Sequence, residues 1–280
     1  MIAPIERTLA GLRRQTAHWR KADETIGVVP TMGALHQGHL SLARAAREKC
    51  DRVIVTIFVN PKQFNDPDDL KTYPRTENED AQKLESIGVD LIYAPEPDQI
   101  YPDSFATTVS VSGLTDMLCG ESRPGHFDGV ATVVSKLFIQ TAADFAFFGE
   151  KDYQQLQIVR RMAADLDIPI EVIGCPTIRE DDGLAMSSRN LLLSDRSRIH
   201  APVLAEVMED MREKLRAGAA MAEIIPDAKA RMMSVGFNGI DYLELRDGGD
   251  LSLLEKAKPD ARLFAAAWLA GVRLIDNIAV

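Results

Sequence analysis

Only three of the 280 residues are cysteines, and no two of Cys50, Cys119 and Cys175 form a Cys-x-x-Cys pair. An odd, widely spaced set argues against a disulfide framework and against a cysteine zinc site, and it fits a reducing cytoplasm. Long apolar runs are missing as well. The longest, Leu263 to Val272, falls short of the roughly 20 residues that a membrane-spanning helix needs. Basic charge is in deficit, with 32 Lys and Arg against 42 Asp and Glu. The resulting net charge of -10 disfavours nucleic acid and anionic lipid as partners, so any anionic ligand must meet a local cluster of cations. Met1 to Arg7 carry charge without an apolar stretch, so no secretory signal is expected.

What remains is a globular composition, 46% hydrophobic, in a chain long enough for about two domains. Residues 25–30 read as a buried strand, 38–49 as a helix and the β-branched run 53–59 as a second strand, which completes a βαβ unit. The alternation continues through helices near 76–87, 128–141 and 152–166 and strands at 91–94, 145–148 and 170–174. It predicts an α/β fold, a doubly wound, Rossmann-like parallel sheet over residues 1–175. Beyond Pro176 the pattern changes to helices near 194–217 and 221–235, then strands near 240–246, 262–268 and 272–277. A smaller α+β lid domain with a short antiparallel sheet is expected over 176–280.

The chemistry-bearing residues collect where strands end, the place where open sheets of this kind bind ligands. Pro30-Thr31-Met32-Gly33-Ala34-Leu35-His36-Gln37-Gly38-His39 leads from a strand into a helix. A helix N-terminus attracts phosphate, Gly33 and Gly38 allow close backbone approach, and two imidazoles can donate to phosphate oxygens. The alternatives are surface histidines beside a tight turn, or two ligands of a metal site that no nearby Cys or Asp completes. Gly149-Glu150-Lys151-Asp152 offers a cation for phosphate and a carboxylate for Mg²⁺, or simply a helix cap. Met186-Ser187-Ser188-Arg189, behind Arg179 to Gly183, suits a loop closing on pyrophosphate, or a plain capped loop. Asn60 and Gln63 after one strand, and Gln155 after another, offer uncharged amides for a carboxylate or a hydroxyl. Arg123 to Gly129 is a cationic loop or merely the start of a helix.

In order and spacing these segments, with the ending Arg273-Leu274-Ile275-Asp276-Asn277-Ile278, resemble the pantothenate synthetases, the pantoate:β-alanine ligases, over essentially the whole chain. The resemblance implies ATP-dependent condensation of pantoate with β-alanine through a pantoyl-adenylate, with release of AMP and pyrophosphate, by a homodimer. It implies that Met32 to His39 line ATP, with His39 as proton donor and His36 assisting. Gly149, Glu150, Lys151, Asp152, Ile178, Met186, Ser187, Ser188 and Arg189 would complete the nucleotide site. Lys151, the two serines and Arg189 would clamp phosphates, and Asp152 would take Mg²⁺. Gln63 and Gln155 correspond to pantoate contacts, Gln63 also reaching β-alanine. Asn60, Arg123 and His126 correspond to the pocket or its loops. Lys62 departs from the apolar or small residue common in the family, which bears on substrate access, and Asp181 stands where proline is common. Two other readings compete: an adenylyltransferase that leaves AMP on a phosphate acceptor, and a catalytically silent ATP-binding module.

Overall fold

The computed structural model describes residues 3–65 and 67–280. Its chain falls into two compact units, Met1–Gly149 with Ile158–Cys175, and Glu150–Gln157 with Pro176–Val280. Among the described residues no helix is long and apolar enough to cross a membrane.

The first unit is built on six parallel strands: β1 (Ile5–Glu6), β2 (Ile26–Thr31), β3 (Arg52–Ile57), β4 (Leu91–Tyr93), β5 (Phe145–Gly149) and β6 (Glu171–Cys175), in the order β1-β4-β3-β2-β5-β6. From β2 the order runs outward through β3 and β4 on one side and through β5 and β6 on the other, with β1 added at the edge beside β4, so the sheet reverses between β2 and β5. Folds of this kind bind ligands beyond the carboxyl ends of the strands flanking such a reversal. The helices of this unit are α1 (Leu9–Lys21), α2 (Gln37–Lys49), α3 (Pro67–Thr72), α4 (Glu77–Glu85), α5 (Pro97–Ile100), α6 (Cys119–Ser122) and α7 (His126–Thr141). Helix α8 (Tyr153–Asp165) contributes its residues from Ile158 onward.

Burial on both sheet faces explains the near-continuous apolar strands. Val29, Val53, Val55, Ile92 and Phe147 form one core with Leu40, Ala43 and Ala46 of α2 and Ala81 and Leu84 of α4. Their neighbours Val28 and Ile54 point to the opposite face and are also fully buried. Helix α7 packs on β2 and is apolar almost all round, as a covered helix must be.

The second unit holds helices α9 (Asp195–Arg198), α10 (Val203–Arg216) and α11 (Met221–Ser234). Its antiparallel sheet comprises β7 (Phe237–Asp247), β8 (Leu253–Leu254), β9 (Ala261–Leu269) and β10 (Val272–Ala279), in the order β10-β9-β7-β8. Its core joins Leu204, Met208, Met211 and Leu215 of α10 and Ile224 and Met232 of α11 to Leu243, Leu263, Ala265 and Leu274 of the sheet.

The α/β class and the separate antiparallel sheet agree with the sequence pattern. The helix expected over 194–217 does not run through. It stops at Arg198 and restarts after Pro202, whose ring lacks an N–H and would clash with the carbonyl four residues earlier. Helix α1 escaped the sequence reading despite a capping Thr8, which accepts from Gly11 N–H at 3.1 Å, and a buried Leu12, Thr16, Trp19 stripe. Strand β1 also escaped it, since two residues carry no periodicity.

Candidate active site

Beyond β2 the backbone turns through Gly33 at φ +85° and Ala34 at φ +51°, a left-handed conformation that costs an ordinary residue about 1 kcal/mol. Two interactions hold this turn. The Thr31 hydroxyl donates to the Thr56 carbonyl at 2.6 Å and accepts from Gly33 N–H at 3.1 Å. The Asp80 carboxylate on α4 accepts from Ala34 N–H at 2.9 Å and from Leu35 N–H at 2.8 Å. Asp80 is 0% exposed. Thr76 donates to it at 3.2 Å, and Lys83 lies 3.8 Å from it while donating to the Leu35 carbonyl at 2.9 Å. Leu35 itself turns its side chain into the core, so only its backbone can line a ligand.

The turn delivers His36 as the N-cap of α2. Gly38 N–H donates to His36 Nδ1 at 3.1 Å, and His36 N–H donates to His39 Nδ1 at 3.3 Å. The two histidines thus form a reciprocal cap, with ring centroids 4.1 Å apart. An Nδ1 that accepts from an N–H carries no proton, so each neutral ring is protonated on Nε2. Five backbone N–H groups of this segment, those of Gly33, Ala34, Leu35, His36 and Gly38, therefore donate to the protein's own side chains. Nε2–H is then the donor group of each imidazole. Gln37 is exposed and accepts from Arg44 at 3.3 Å.

A second constellation in this unit surrounds Gln63, at the end of the 3₁₀ turn Pro61–Gln63 after β3. Asn60 caps that turn and is 1% exposed, with all four positions of its amide engaged. Its oxygen accepts from Tyr101 OH at 2.8 Å and Lys62 N–H at 3.3 Å, and its nitrogen donates to Gln63 Oε1 and to the Gly129 carbonyl, both at 3.0 Å. Burial raises the pKa of the Tyr101 phenol well above its ordinary value, which keeps it a donor. With Gln63 Oε1 so occupied, its Nε2 is turned toward Met32, 3.1 Å from the sulfur. The Gln63 carbonyl is 2.8 Å from His126 Nδ1 and accepts from Arg123 at 3.2 Å, so both loop residues fix the backbone of the turn. A Cβ on Gly129 would meet the Lys62 carbonyl at 2.3 Å, which is why α7 can pack this closely only with glycine there. Lys62 rests its ammonium over the rings of Tyr101 and Phe105, at 5.0 and 4.8 Å.

Gly149 closes β5 in the first unit, and the remaining candidates belong to the second. Glu150–Asp152 forms a 3₁₀ turn in which the Lys151 side chain is 17% exposed and lies 3.8 Å from Asp152, itself 49% exposed. Gln155 follows, half-buried on α8. Ile178 and Met186 are brought together in a small hairpin, Met186 N–H donating to the Ile178 carbonyl at 2.9 Å with Arg179 bridged to Ala185. Ser187 then caps the 3₁₀ turn Ser188–Leu192, accepting from Arg189 N–H at 3.3 Å. Among the described residues no three His, Cys, Asp or Glu side chains converge as a metal site.

Asp80 and Tyr101 were missed from sequence. Asp80 did leave a signal: it sits with Ala81 and Leu84 on the apolar face of α4, where a charged residue is rare unless paired.

Comparison with known proteins identifies a family. The family model for pantoate-beta-alanine ligase matches residues 4–279. The pantothenate synthetase of Roseobacter denitrificans is 64% identical over 280 residues, covering 100% of this chain and 99% of the relative. That of Ruegeria pomeroyi is 62% identical, covering 100% and 98%. The crystal structure of pantothenate synthetase from Thermus thermophilus superimposes with a TM-score of 0.92 at 44% identity, over 98% of each chain. The pantoate-beta-alanine ligase of Francisella tularensis, solved with beta-gamma ATP and beta-alanine, gives 0.81 at 35% identity, over 99% of this chain and 97% of that one.

Replacing Asp80 by alanine leaves two buried backbone donors without their acceptor, at about 1–3 kcal/mol each. The expected result is a fall of about 2–5 kcal/mol in unfolding free energy, read from urea titration; a fall below about 1 kcal/mol would show that the turn holds without it.

Proposed function

This chain belongs to the pantoate-beta-alanine ligase family, and we propose that it joins pantoate to β-alanine through a pantoyl-adenylate, consuming ATP and releasing AMP and pyrophosphate. The observation that carries the reading is the reciprocal His36–His39 cap, held on the Asp80 turn at the end of β2. A carboxylate is a poor electrophile; joining it to the α-phosphate makes a mixed anhydride with a good leaving group, and the amine then displaces AMP. Both steps move negative charge on phosphate oxygens, which two rings protonated at Nε2 are suited to receive. In this reading His39 and His36 are catalytic donors at the phosphates, and the backbone of Met32 to Leu35 shapes the nucleotide's approach.

The acid is held by Gln63. Because Asn60 occupies its Oε1, the amide has N–H to offer, which matches a carboxylate or hydroxyl oxygen. Asn60 then acts through Gln63 rather than on the substrate itself, and Gln155 supplies a second amide. Lys151, Ser187, Ser188 and Arg189 take the phosphates, with Gly149, Glu150, Ile178 and Met186 lining the nucleotide. Asp152 is a single, half-exposed carboxylate, which fits Mg²⁺ arriving on ATP, since that ion draws its other ligands from phosphate and water. When bound, the ion would neutralise phosphate charge.

An adenylyltransferase with a phosphate acceptor would need cations around Gln63. Two cations beside it are turned elsewhere, Arg123 onto the Gln63 carbonyl and Lys62 onto aromatic rings. The family resemblance supports a homodimer, and three cysteines with no disulfide among them fit a cytoplasmic setting.

Incubated with pantoate, β-alanine and ATP, the protein is expected to form AMP and pyrophosphate in step with pantothenate. Formation of ADP would sink the adenylate route, and no turnover would favour the silent module. His39→Ala should lower kcat on the order of 100-fold while costing about 1 kcal/mol for the lost cap. A stability loss large enough to account for the whole activity loss would return His39 to a structural role. Sedimentation at the mass of one chain would overturn the dimer.

A further inference from the structure

The closing segment Arg273 to Ile278 matches the family's ending, yet no role follows for it from the reaction. Two of its residues, Asp276 and Asn277, are polar and only 3% exposed. They are adjacent on β10, so their side chains leave opposite faces of the sheet. Asp276 pairs across the ladder with Ala265, which lies in the core with α10 and α11. Asn277 pairs with Phe264, whose ring meets Tyr153 on the other face.

On that second face Asn277 spends both amide hydrogens on successive carbonyls, that of Glu150 at 2.9 Å and that of Lys151 at 2.8 Å. Its oxygen accepts from Arg262, which also pairs with Glu150 at 3.1 Å and lies 3.9 Å over the Tyr153 ring. The peptide units flanking Lys151 are thereby pinned to the strand. On the first face the Asp276 carboxylate receives both guanidinium nitrogens of Arg179, at 2.6 and 3.0 Å. Arg179 also donates to the Gly183 carbonyl at 3.0 Å, closing the tip of the hairpin that leads to Met186 and Ser187. Burying polar groups is costly unless every one is paired, and here the Asn277 amide nitrogen and the Asp276 carboxylate both reach segments that carry or lead to residues read above as phosphate-handling.

We propose that Asp276 and Asn277 are positioning residues for adenylate formation, one strand dipeptide that sets the Lys151 turn from one face and the Arg179–Met186 hairpin from the other. This rests on the reading of Lys151 and Ser187 to Arg189 as nucleotide contacts. The requirement is geometric: a group displaced by about 1 Å from a reacting centre can cost on the order of 100-fold in rate.

The test is pantoate-dependent exchange of labelled pyrophosphate into ATP, measured with thermal unfolding for Asn277→Asp, Asp276→Asn, Lys151→Ala and the Asn277→Asp/Lys151→Ala double variant. Asn277→Asp keeps the shape and the acceptor for Arg262 but loses both donors. It is expected to lower kcat of exchange on the order of 10- to 100-fold with the pantoate KM unchanged and a cooperative thermal transition retained. Asp276→Asn is expected to slow exchange on the order of 10-fold. If Asn277 acts through Lys151, the double variant is no slower than Lys151→Ala alone. Wild-type kcat in Asn277→Asp, multiplied losses in the double variant, or loss of the thermal transition in both strand variants would overturn the proposal. Wild-type exchange in Lys151→Ala would instead overturn the phosphate reading of Lys151 on which it stands.

Discussion

Asp80 brings a carboxylate into the interior of the first unit, and the turn after β2 is arranged around it. The desolvation cost of a buried carboxylate is offset by two backbone N–H groups, a hydroxyl and an ammonium. In return it stabilises Ala34 in a left-handed conformation that an alanine would not choose. That conformation decides where α2 begins, and so where His36 and His39 stand. Without a fixed acceptor in the core, the same residues would make a loose glycine-containing loop with no defined direction for either imidazole.

The same division of labour recurs. Groups assigned to the substrates are few, and several are held by groups that do not reach them. Gln63 is aimed by Asn60, which Tyr101 orients, while His126 and Arg123 fix its backbone. Lys151 is carried on carbonyls gripped by Asn277. Such scaffolding suits adenylation, in which the protein forms no covalent bond to substrate and contributes alignment and charge stabilisation. A donor that is already oriented loses little entropy when the phosphate arrives.

Much of this protein was legible in the sequence because the information is local. Val53 to Val59 carries the pattern of a doubly covered strand, realised as β3 over Arg52–Ile57, and the strand-glycine-helix passage from Pro30 to Ala46 carries the pattern of a ligand-binding turn. Misreadings arose where local pattern was thin or was overruled. Strand β1 is two residues long, and the break between α9 and α10 hangs on one proline. The family signature named the reaction, because His36, His39, Gln63, Lys151 and Arg189 keep their order along the chain.

Tertiary structure alone decided which atoms those residues present. The placement of the two imidazoles follows from the turn that Asp80 holds from α4, and the N–H face of Gln63 from the neighbouring Asn60 amide, which Tyr101 and the Gly129 carbonyl orient from other elements. The pairing of Asp276 and Asn277 with segments far behind them in the chain is invisible in the sequence. A sequence records residue types and their neighbours along the chain. A hydrogen bond between residues far apart in sequence depends on which face and which register bring two atoms within about 3 Å, and only the folded chain settles that. Pro30 to His39 therefore raised from sequence the expectation of a nucleotide site, while Asp80, which no motif mentions, decided how that turn is held.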